Sequence, residues 1–196
     1  MGGVPGVGKT SIAGAVARKL GINIILSGDY LREFIRPLRV ENGKLLGTSV
    51  YDSWKRYGDK NRENIIKGFE AQSGVMCMGI AAAVERAEKN GESVIIESLY
   101  MNQQIADVLR DNSALAAYLY ISDPEVHAKR LGEREMFTHF KSAGSRLVAQ
   151  LDVYRAIMDY SVELSKSNGV KLFDNIDYEI TRKNILEFFG GGNADK

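Results

Sequence analysis

The chain has 196 residues and a formal net charge of +1, a length that predicts one domain, or one domain with a lid insertion, and a balance that gives no global attraction to nucleic acid or anionic membranes. Hydrophobic residues at 44% and charged residues at 26% describe an ordinary globular protein with enough apolar material for a core. The single cysteine, Cys77, cannot form an internal disulfide, which predicts a cytoplasmic protein with Cys77 as buried filler; no apolar run approaches the ~18 residues of a membrane span, and none reads as a signal peptide.

In chain order, the first stretch is Gly3-Val4-Pro5-Gly6-Val7-Gly8-Lys9-Thr10. It fits G-x-x-x-x-G-K-[ST], the phosphate-binding loop or P-loop. Its glycines let the backbone curl so that successive N–H groups point at phosphate oxygens. Lys9 is placed to reach the β- and γ-phosphates of ATP, and the Thr10 hydroxyl to ligate Mg²⁺. Residues 10–20 read as a helix whose positive N-terminal end faces the same phosphates. The nucleotide-binding set is therefore Gly3, Pro5, Gly6, Val7, Gly8, Lys9, Thr10 and Ser11. Such a loop normally follows a buried strand, and ahead of Gly3 stand Met1 and Gly2. The expectation is a sheet whose first strand is missing, with a gap at its centre and a poorly fixed loop.

Residues 22–26 are apolar and β-branched, a buried strand that ends in Ser27-Gly28-Asp29. Ser27 or Asp29 can cap a helix over 31–36, which Pro37 stops; Arg32 and Arg36 share one face of it. Residues 39–57 are mixed, with a turn signal at Asn42-Gly43. Residues 61–90 read as one long helix with an apolar stripe through Ile65, Phe69, Met76, Ile80, Ala83 and Ala87. Gly68, Gly74 and Gly79 inside it predict a kink or close backbone packing. Strands are expected at 93–96, 115–121 and 169–173, and a short helix at 102–110. Asp123-Pro124 opens a helix carrying Lys129, Arg130 and Arg134. Residues 137–145 are loop-like, 146–166 form a second long helix, and a last helix ends near residue 189. Helices and strands alternate throughout, which implies an α/β fold of the P-loop kinase type, a parallel sheet with helices on both faces.

Ligands in such sheets sit at the carboxyl ends of the strands, which gathers Asp29, Glu97, Asp123 and Asp174 near the phosphates. Phosphoryl transfer needs an acceptor hydroxyl oriented and the transferring group surrounded by cations. Asp29 is the candidate to orient or deprotonate the acceptor, a role compatible with helix capping. Glu97, closing an apolar strand, is the candidate to hold Mg²⁺ with Thr10 and to line the acceptor site. Arg130 and Arg134, four apart ahead of a flexible stretch, are the candidate catalytic arginines of a lid around 123–146; the alternative is a solvated face paired with Glu133 or Glu135. Arg32, Arg36 and Lys55 offer cations to an anionic acceptor. Trp54 packs or lines that pocket. His127 and His139 are the two histidines, and no Cys/His cluster has zinc spacing.

Beyond the P-loop, the chain carries Asp29-Tyr30-Leu31-Arg32-Glu33, Ser49-Val50-Tyr51-Asp52-Ser53-Trp54-Lys55, Gly68-Phe69-Glu70-Ala71-Gln72, Val94-Ile95-Ile96-Glu97, Ile121-Ser122-Asp123 and Phe173-Asp174-Asn175. With these blocks it resembles the archaeal-type 2-phosphoglycerate kinase family over most of its length. The resemblance implies ATP-dependent phosphorylation of 2-phosphoglycerate to 2,3-bisphosphoglycerate. Where that family would carry Glu-Gly-Val-His followed by Pro-Gly, this chain has Glu97-Ser98-Leu99-Tyr100-Met101-Asn102, and the N-terminal regulatory domain of some members is absent. The preferred expectation is a kinase acting on a small anionic acceptor. A nucleotide or polynucleotide 5′-kinase and an inactive nucleotide-binding protein are the alternatives; no nucleic-acid or membrane partner is expected, and no guanine-reading N/T-K-x-D motif is present.

Overall fold

The computed structural model describes residues 1–38, 43–137 and 144–191. Its strands are β1 (Ile24–Ser27), β2 (Val94–Glu97), β3 (Ala117–Tyr120) and β4 (Lys171–Asp174), each inside or one residue beyond the stretch its apolar run predicts. They form two parallel pairs. β1 lies beside β2 in the register Ile24–Val94 to Ser27–Glu97, and β3 beside β4 in the register Ala117–Lys171 to Tyr120–Asp174.

The extreme N-terminus joins the two pairs. Gly2 bridges in parallel to Ser98 on one side and to Tyr118 on the other. Its N–H donates to Ala117 O at 2.7 Å, and its carbonyl accepts from Leu119 N–H at 2.9 Å. Across the other edge, Ser98 N–H donates to Met1 O and Gly3 N–H to Ser98 O. Met1–Gly3 is thus a remnant of a central strand, and the order across the molecule is β1, β2, this remnant, β3, β4. The expected gap is present beyond it. Ahead of Met1, β2 and the run into β3 enclose a groove of about 1390 Å³ open to solvent, walled by Val16, Leu20, Val84, Val94, Leu115 and Phe189 among others. The expectation of a poorly fixed P-loop is not met, because side chains of other elements hold it.

The helices are α1 (Lys9–Leu20), α2 (Gly28–Ile35), α3 (Arg62–Asn90), α4 (Gln103–Asp111), α5 (Pro124–Phe137), α6 (Gly144–Val148), α7 (Leu151–Ser167) and α8 (Tyr178–Gly190). α1 packs on α8 and on β1 and β2, while α3 packs on α4 and α7. α3 starts at Asn61, whose side chain accepts from Asn64 N–H, and stops at Gly91 in the left-handed region. It runs unbroken for 29 residues, so its glycines mark close packing rather than a kink. A Cβ on Gly68 would stand 2.4 Å from Ser53 Oγ, and one on Gly79 would stand 2.9 Å from Ile35 Cδ1; Gly74 is less crowded, with its nearest neighbour at 3.4 Å. The Gly68 contact seats two 3-10 helices, Gly43–Gly47 and Val50–Arg56, against α3.

The long helix expected at 146–166 is divided. α6 ends at Val148 and α7 begins at Leu151, and Gly144, at the start of α6, lies against the Gly132 backbone of α5. Most of the stretch read as a loop at 137–145, and the turn residue Asn42, lie outside the described residues. Among the described residues no helix is long and apolar enough to cross a membrane.

Gly68→Ala should push α3 off Ser53. Overpacking of this kind costs about 1–3 kcal/mol, so thermal denaturation of the variant should show a Tm several degrees lower. An unchanged Tm would mean that the 3-10 segment yields without loss.

Candidate active site

The P-loop wraps the N-terminus of α1. Gly8 is its N-cap at φ 85°, in the left-handed region, and a Cβ there would meet Asn175 Nδ2 at 2.7 Å; glycine is required on both counts. Lys9 Nζ folds back to donate to Val4 O at 3.1 Å. Burial lowers the Lys9 pKa; Glu97 and Asp29 oppose that shift and Arg134 adds to it. These four ionisable side chains therefore share one electrostatic field at the mouth of the loop. Thr10 Oγ1 donates to both carboxylate oxygens of Glu97, at 3.1 and 2.9 Å, and Glu97 is buried at the end of β2.

A hydroxyl and one buried carboxylate, with phosphate oxygens to come from the nucleotide, are the hard oxygen donors that suit Mg²⁺, which keeps several of its waters. Among the described residues there is no cluster of three or more His, Cys, Asp or Glu side chains that could hold a metal by itself. The residues present thus fit a nucleotide-borne Mg²⁺ held through Thr10 and Glu97.

Asp29 lies in the first turn of α2 and is exposed. The N-cap is Ser27, whose side chain makes no capping hydrogen bond. Asp29 is therefore not the capping residue, and the helix start adds a favourable field for its negative charge. Arg134, half-buried on α5, is felt both by Lys9 and by Tyr154, and Tyr154 also feels Asp29 and Arg146. Tyr154 is buried, with its ring edge-on to Tyr51 at 6.0 Å between centroids. Asp29 and Arg134 are thus charges felt at both Lys9 and Tyr154, and Arg146 at Tyr154.

Other expected site residues are placed differently. Arg32 donates to the carbonyls of Leu46 and Thr48, at 2.5 and 2.7 Å, and to Glu33. Its guanidinium is a strut under the 3-10 segment rather than an open anion fork. Arg36 pairs with Glu33 at 2.6 Å and Lys55 with Asp52 at 2.7 Å, each one helical turn away on its own element. Arg130 donates to the carbonyls of Asn175 and Ile176, at 2.5 and 2.7 Å, which ties it to the loop after β4. Trp54 packs, its Nε1 donating to Tyr51 O at 2.9 Å. Cys77 is half-buried with its pKa raised by desolvation and then by Asp107, as inert filler requires.

Three contributors escaped the sequence reading. His127, read there for metal ligation alone, has its Nε2 2.9 Å from Pro5 O. Asn175, named there only within the block Phe173-Asp174-Asn175, donates from Nδ2 to Val7 O at 2.8 Å. Gln72 donates to the carbonyls of Leu45 and Thr48 and accepts from Tyr100 OH at 2.9 Å. Tyr100 stands where the resemblance expects histidine; desolvation raises its pKa to about 12, against a lowering by Arg32, so it serves as a neutral donor.

The AAA domain family matches residues 2–141. The chain belongs to this family. Over 96% of its length it is 48% identical to mevalonate-3-phosphate 5-kinase of Thermoplasma acidophilum, covering 93% of that protein. It is 30% identical over 95% of its length to 2-phosphoglycerate kinase of Pyrococcus horikoshii, and 30% identical over 90% to that of Methanocaldococcus jannaschii. It spans 62% and 57% of those two proteins. Shikimate kinase from Acinetobacter baumannii shares the fold at a TM-score of 0.56 and 12% identity, with 99% of this chain and 93% of that chain covered. The chain is a P-loop small-molecule kinase of α/β fold that uses ATP with Mg²⁺ and acts on an alcohol acceptor. Its likeness is greater to the mevalonate-3-phosphate enzyme than to the 2-phosphoglycerate kinases whose blocks it shares.

His127 supplies a pH test. Burial lowers its pKa below the ordinary 6.5, helped by Arg155, Lys9 and Arg130 and opposed by its bond to Pro5. The unfolded chain then binds the proton at higher pH than the native one, so stability is lost as pH falls below about 6.5. Tm measured from about pH 7.5 to 5 should fall more steeply for the native protein than for His127→Gln; parallel curves would mean that His127 titrates alike in both states.

Proposed function

We propose that this kinase transfers the γ-phosphoryl group of ATP to the 5-hydroxyl of mevalonate 3-phosphate, giving mevalonate 3,5-bisphosphate and ADP. The observation that carries the acceptor is the 48% identity to the Thermoplasma enzyme, which extends over 96% of this chain and 93% of that one. In this reading the cytoplasmic protein is one kinase domain, with residues 123–146 as its lid.

Bound Mg-ATP supplies the activated phosphoryl group and neutralises part of its charge. This chain's residues do the rest. The Asp29 carboxylate accepts the proton of the acceptor hydroxyl as its oxygen bonds to the γ-phosphorus. Meanwhile the bond to the β,γ-bridging oxygen breaks and that oxygen leaves with ADP. Lys9 follows the β- and γ-phosphates. Arg134 faces the charge that moves between them. Glu97 and Thr10 hold the metal side. The acceptor carries a carboxylate and a phosphate, and Arg134 and Arg146 are the cations around Tyr154; Arg32, Arg36 and Lys55 act by fixing the wall that closes over it.

A second reading, 2-phosphoglycerate as acceptor, keeps the support of the shared sequence blocks and of 30% identity to relatives of which this chain spans about three fifths. The two acceptors share a carboxylate, a phosphate ester and a primary hydroxyl, but the hydroxyl is farther from the phosphate in mevalonate 3-phosphate. ADP release measured with each should give a kcat/KM larger by about 100-fold or more for mevalonate 3-phosphate, the discrimination a site aligned on one hydroxyl achieves. The reverse ratio would make the second reading correct.

Arg134→Ala should lower kcat by about tenfold or more with a smaller change in ATP affinity, and Arg134→Lys should not restore it, because the planar fork is lost. Near-native kcat in both variants would assign Arg134 to the surface.

A further inference from the structure

Three carbonyls of the P-loop are held by side chains, one from the loop itself and two from other elements. Val4 O accepts from Lys9 Nζ at 3.1 Å, Pro5 O lies 2.9 Å from His127 Nε2, and Val7 O accepts from Asn175 Nδ2 at 2.8 Å. Every described peptide bond is trans, and in a trans peptide the C=O and the following N–H point in opposite directions. Turning Pro5 O toward His127 therefore turns Gly6 N–H the other way, and turning Val7 O toward Asn175 does the same for Gly8 N–H. Gly6 and Gly8 amides are the donors a phosphate would meet.

Both anchors are built in. His127 and Asn175 are each 0% exposed. Pro5 O can accept but not donate, so the imidazole proton sits on Nε2. Among the described residues the buried Nδ1 has no hydrogen-bond partner, so it keeps its lone pair and the ring stays neutral; burial and the nearby Lys9, Arg130 and Arg155 favour the same state. Asn175 is itself held, its carbonyl accepting from Arg130 one turn along α5 from His127. P-loop, α5 and the loop after β4 thus close a ring of hydrogen bonds. None of the side-chain donors from α5 and the loop after β4 belongs to the P-loop motif.

We infer that His127 and Asn175 are positioning residues of the nucleotide site, which set the Gly6 and Gly8 amides through the carbonyls of Pro5 and Val7. The inference rests on ATP as the phosphoryl donor. It assigns the two side chains to donor binding and leaves the acceptor untouched.

The test uses the full chain with His127→Leu, His127→Gln and Asn175→Asp. Glutamine keeps a donor at a reach close to that of Nε2. Aspartate keeps the shape of asparagine and removes the donor. Calorimetric titration with Mg-ATP gives the ATP Kd, steady-state rates give the acceptor KM, and a melting curve checks folding. His127→Leu and Asn175→Asp should each raise the ATP Kd by about tenfold, the size of a lost hydrogen bond to an aligned group. The acceptor KM should change by less than about twofold, and His127→Gln should recover most of the ATP affinity. A purely structural role would lower Tm and leave the ATP Kd of the folded protein unchanged. If His127→Leu does not melt cooperatively, Asn175→Asp and His127→Gln decide. Native ATP affinity in a folded Asn175→Asp, or no recovery in a folded His127→Gln relative to His127→Leu, overturns the inference. A native protein that binds no Mg-ATP at all overturns the donor reading, and with it this one.

Discussion

Gly2 has to complete two sheet edges at once. With Ser98 on one side and Tyr118 on the other, its peptide hydrogen bonds are what hold the β1–β2 pair in register with the β3–β4 pair. A Cβ at this position would stand 2.6 Å from the Tyr118 ring, so the residue that joins the half-sheets is also one that leaves room for a large side chain beneath it. The P-loop springs from this point. Its position relative to Glu97, the last residue of β2, and to Asp174, the last of β4, follows from three residues of backbone pairing. Side chains of α5 and of the loop after β4 add anchors to the loop beyond this backbone pairing.

The charges at the loop are balanced by adjacency rather than by number. Lys9 and Arg134 raise the positive potential where phosphates arrive, while Glu97 and Asp29 oppose the lowering of the Lys9 pKa by burial. The Thr10 hydroxyl donates to Glu97, which gives the buried carboxylate a partner. A buried carboxylate with no partner would carry a large desolvation penalty. The hydroxyl position that ligates a cation in other P-loop proteins here also satisfies the carboxylate.

Much of the fold was legible because its signals are local. Apolar runs at 22–26, 93–96, 115–121 and 169–173 located every strand, and the glycines of α3 announced close packing at Gly68 and Gly79. β3 is shorter than its run, and Leu115 at the start of that run is 55% exposed. The motif located the P-loop, Thr10 and Glu97. The arginines were harder. A sequence shows that Arg32, Arg36, Arg130 and Arg134 are cationic and helical, but not which carbonyls come within reach. Arg32 and Arg130 are taken up by backbone oxygens of segments 14 and 45 or more residues away. The same limit hid His127 and Asn175, whose partners lie 122 and 168 residues away. The shared blocks pointed to 2-phosphoglycerate as acceptor, while the chain is 48% identical to a mevalonate-3-phosphate 5-kinase and 30% identical to a 2-phosphoglycerate kinase.

The division of labour between Arg130 and Arg134 also decides how a lid could work. The first two turns of α5 are held at three places: Asp123 caps the helix through the N–H groups of Glu125 and Val126, His127 reaches Pro5, and Arg130 reaches the loop after β4. Leu131 follows with 0% exposure. Rotating this part as a body would break all of these contacts and disturb the P-loop itself. Beyond Leu131 comes Gly132, against whose backbone Gly144 of α6 is packed. A movement of the end of α5 that began there would leave these anchors intact. Arg130 lies on the anchored side of Gly132 and Arg134 beyond it, so two arginines four apart in sequence stand on opposite sides of the last of these anchors.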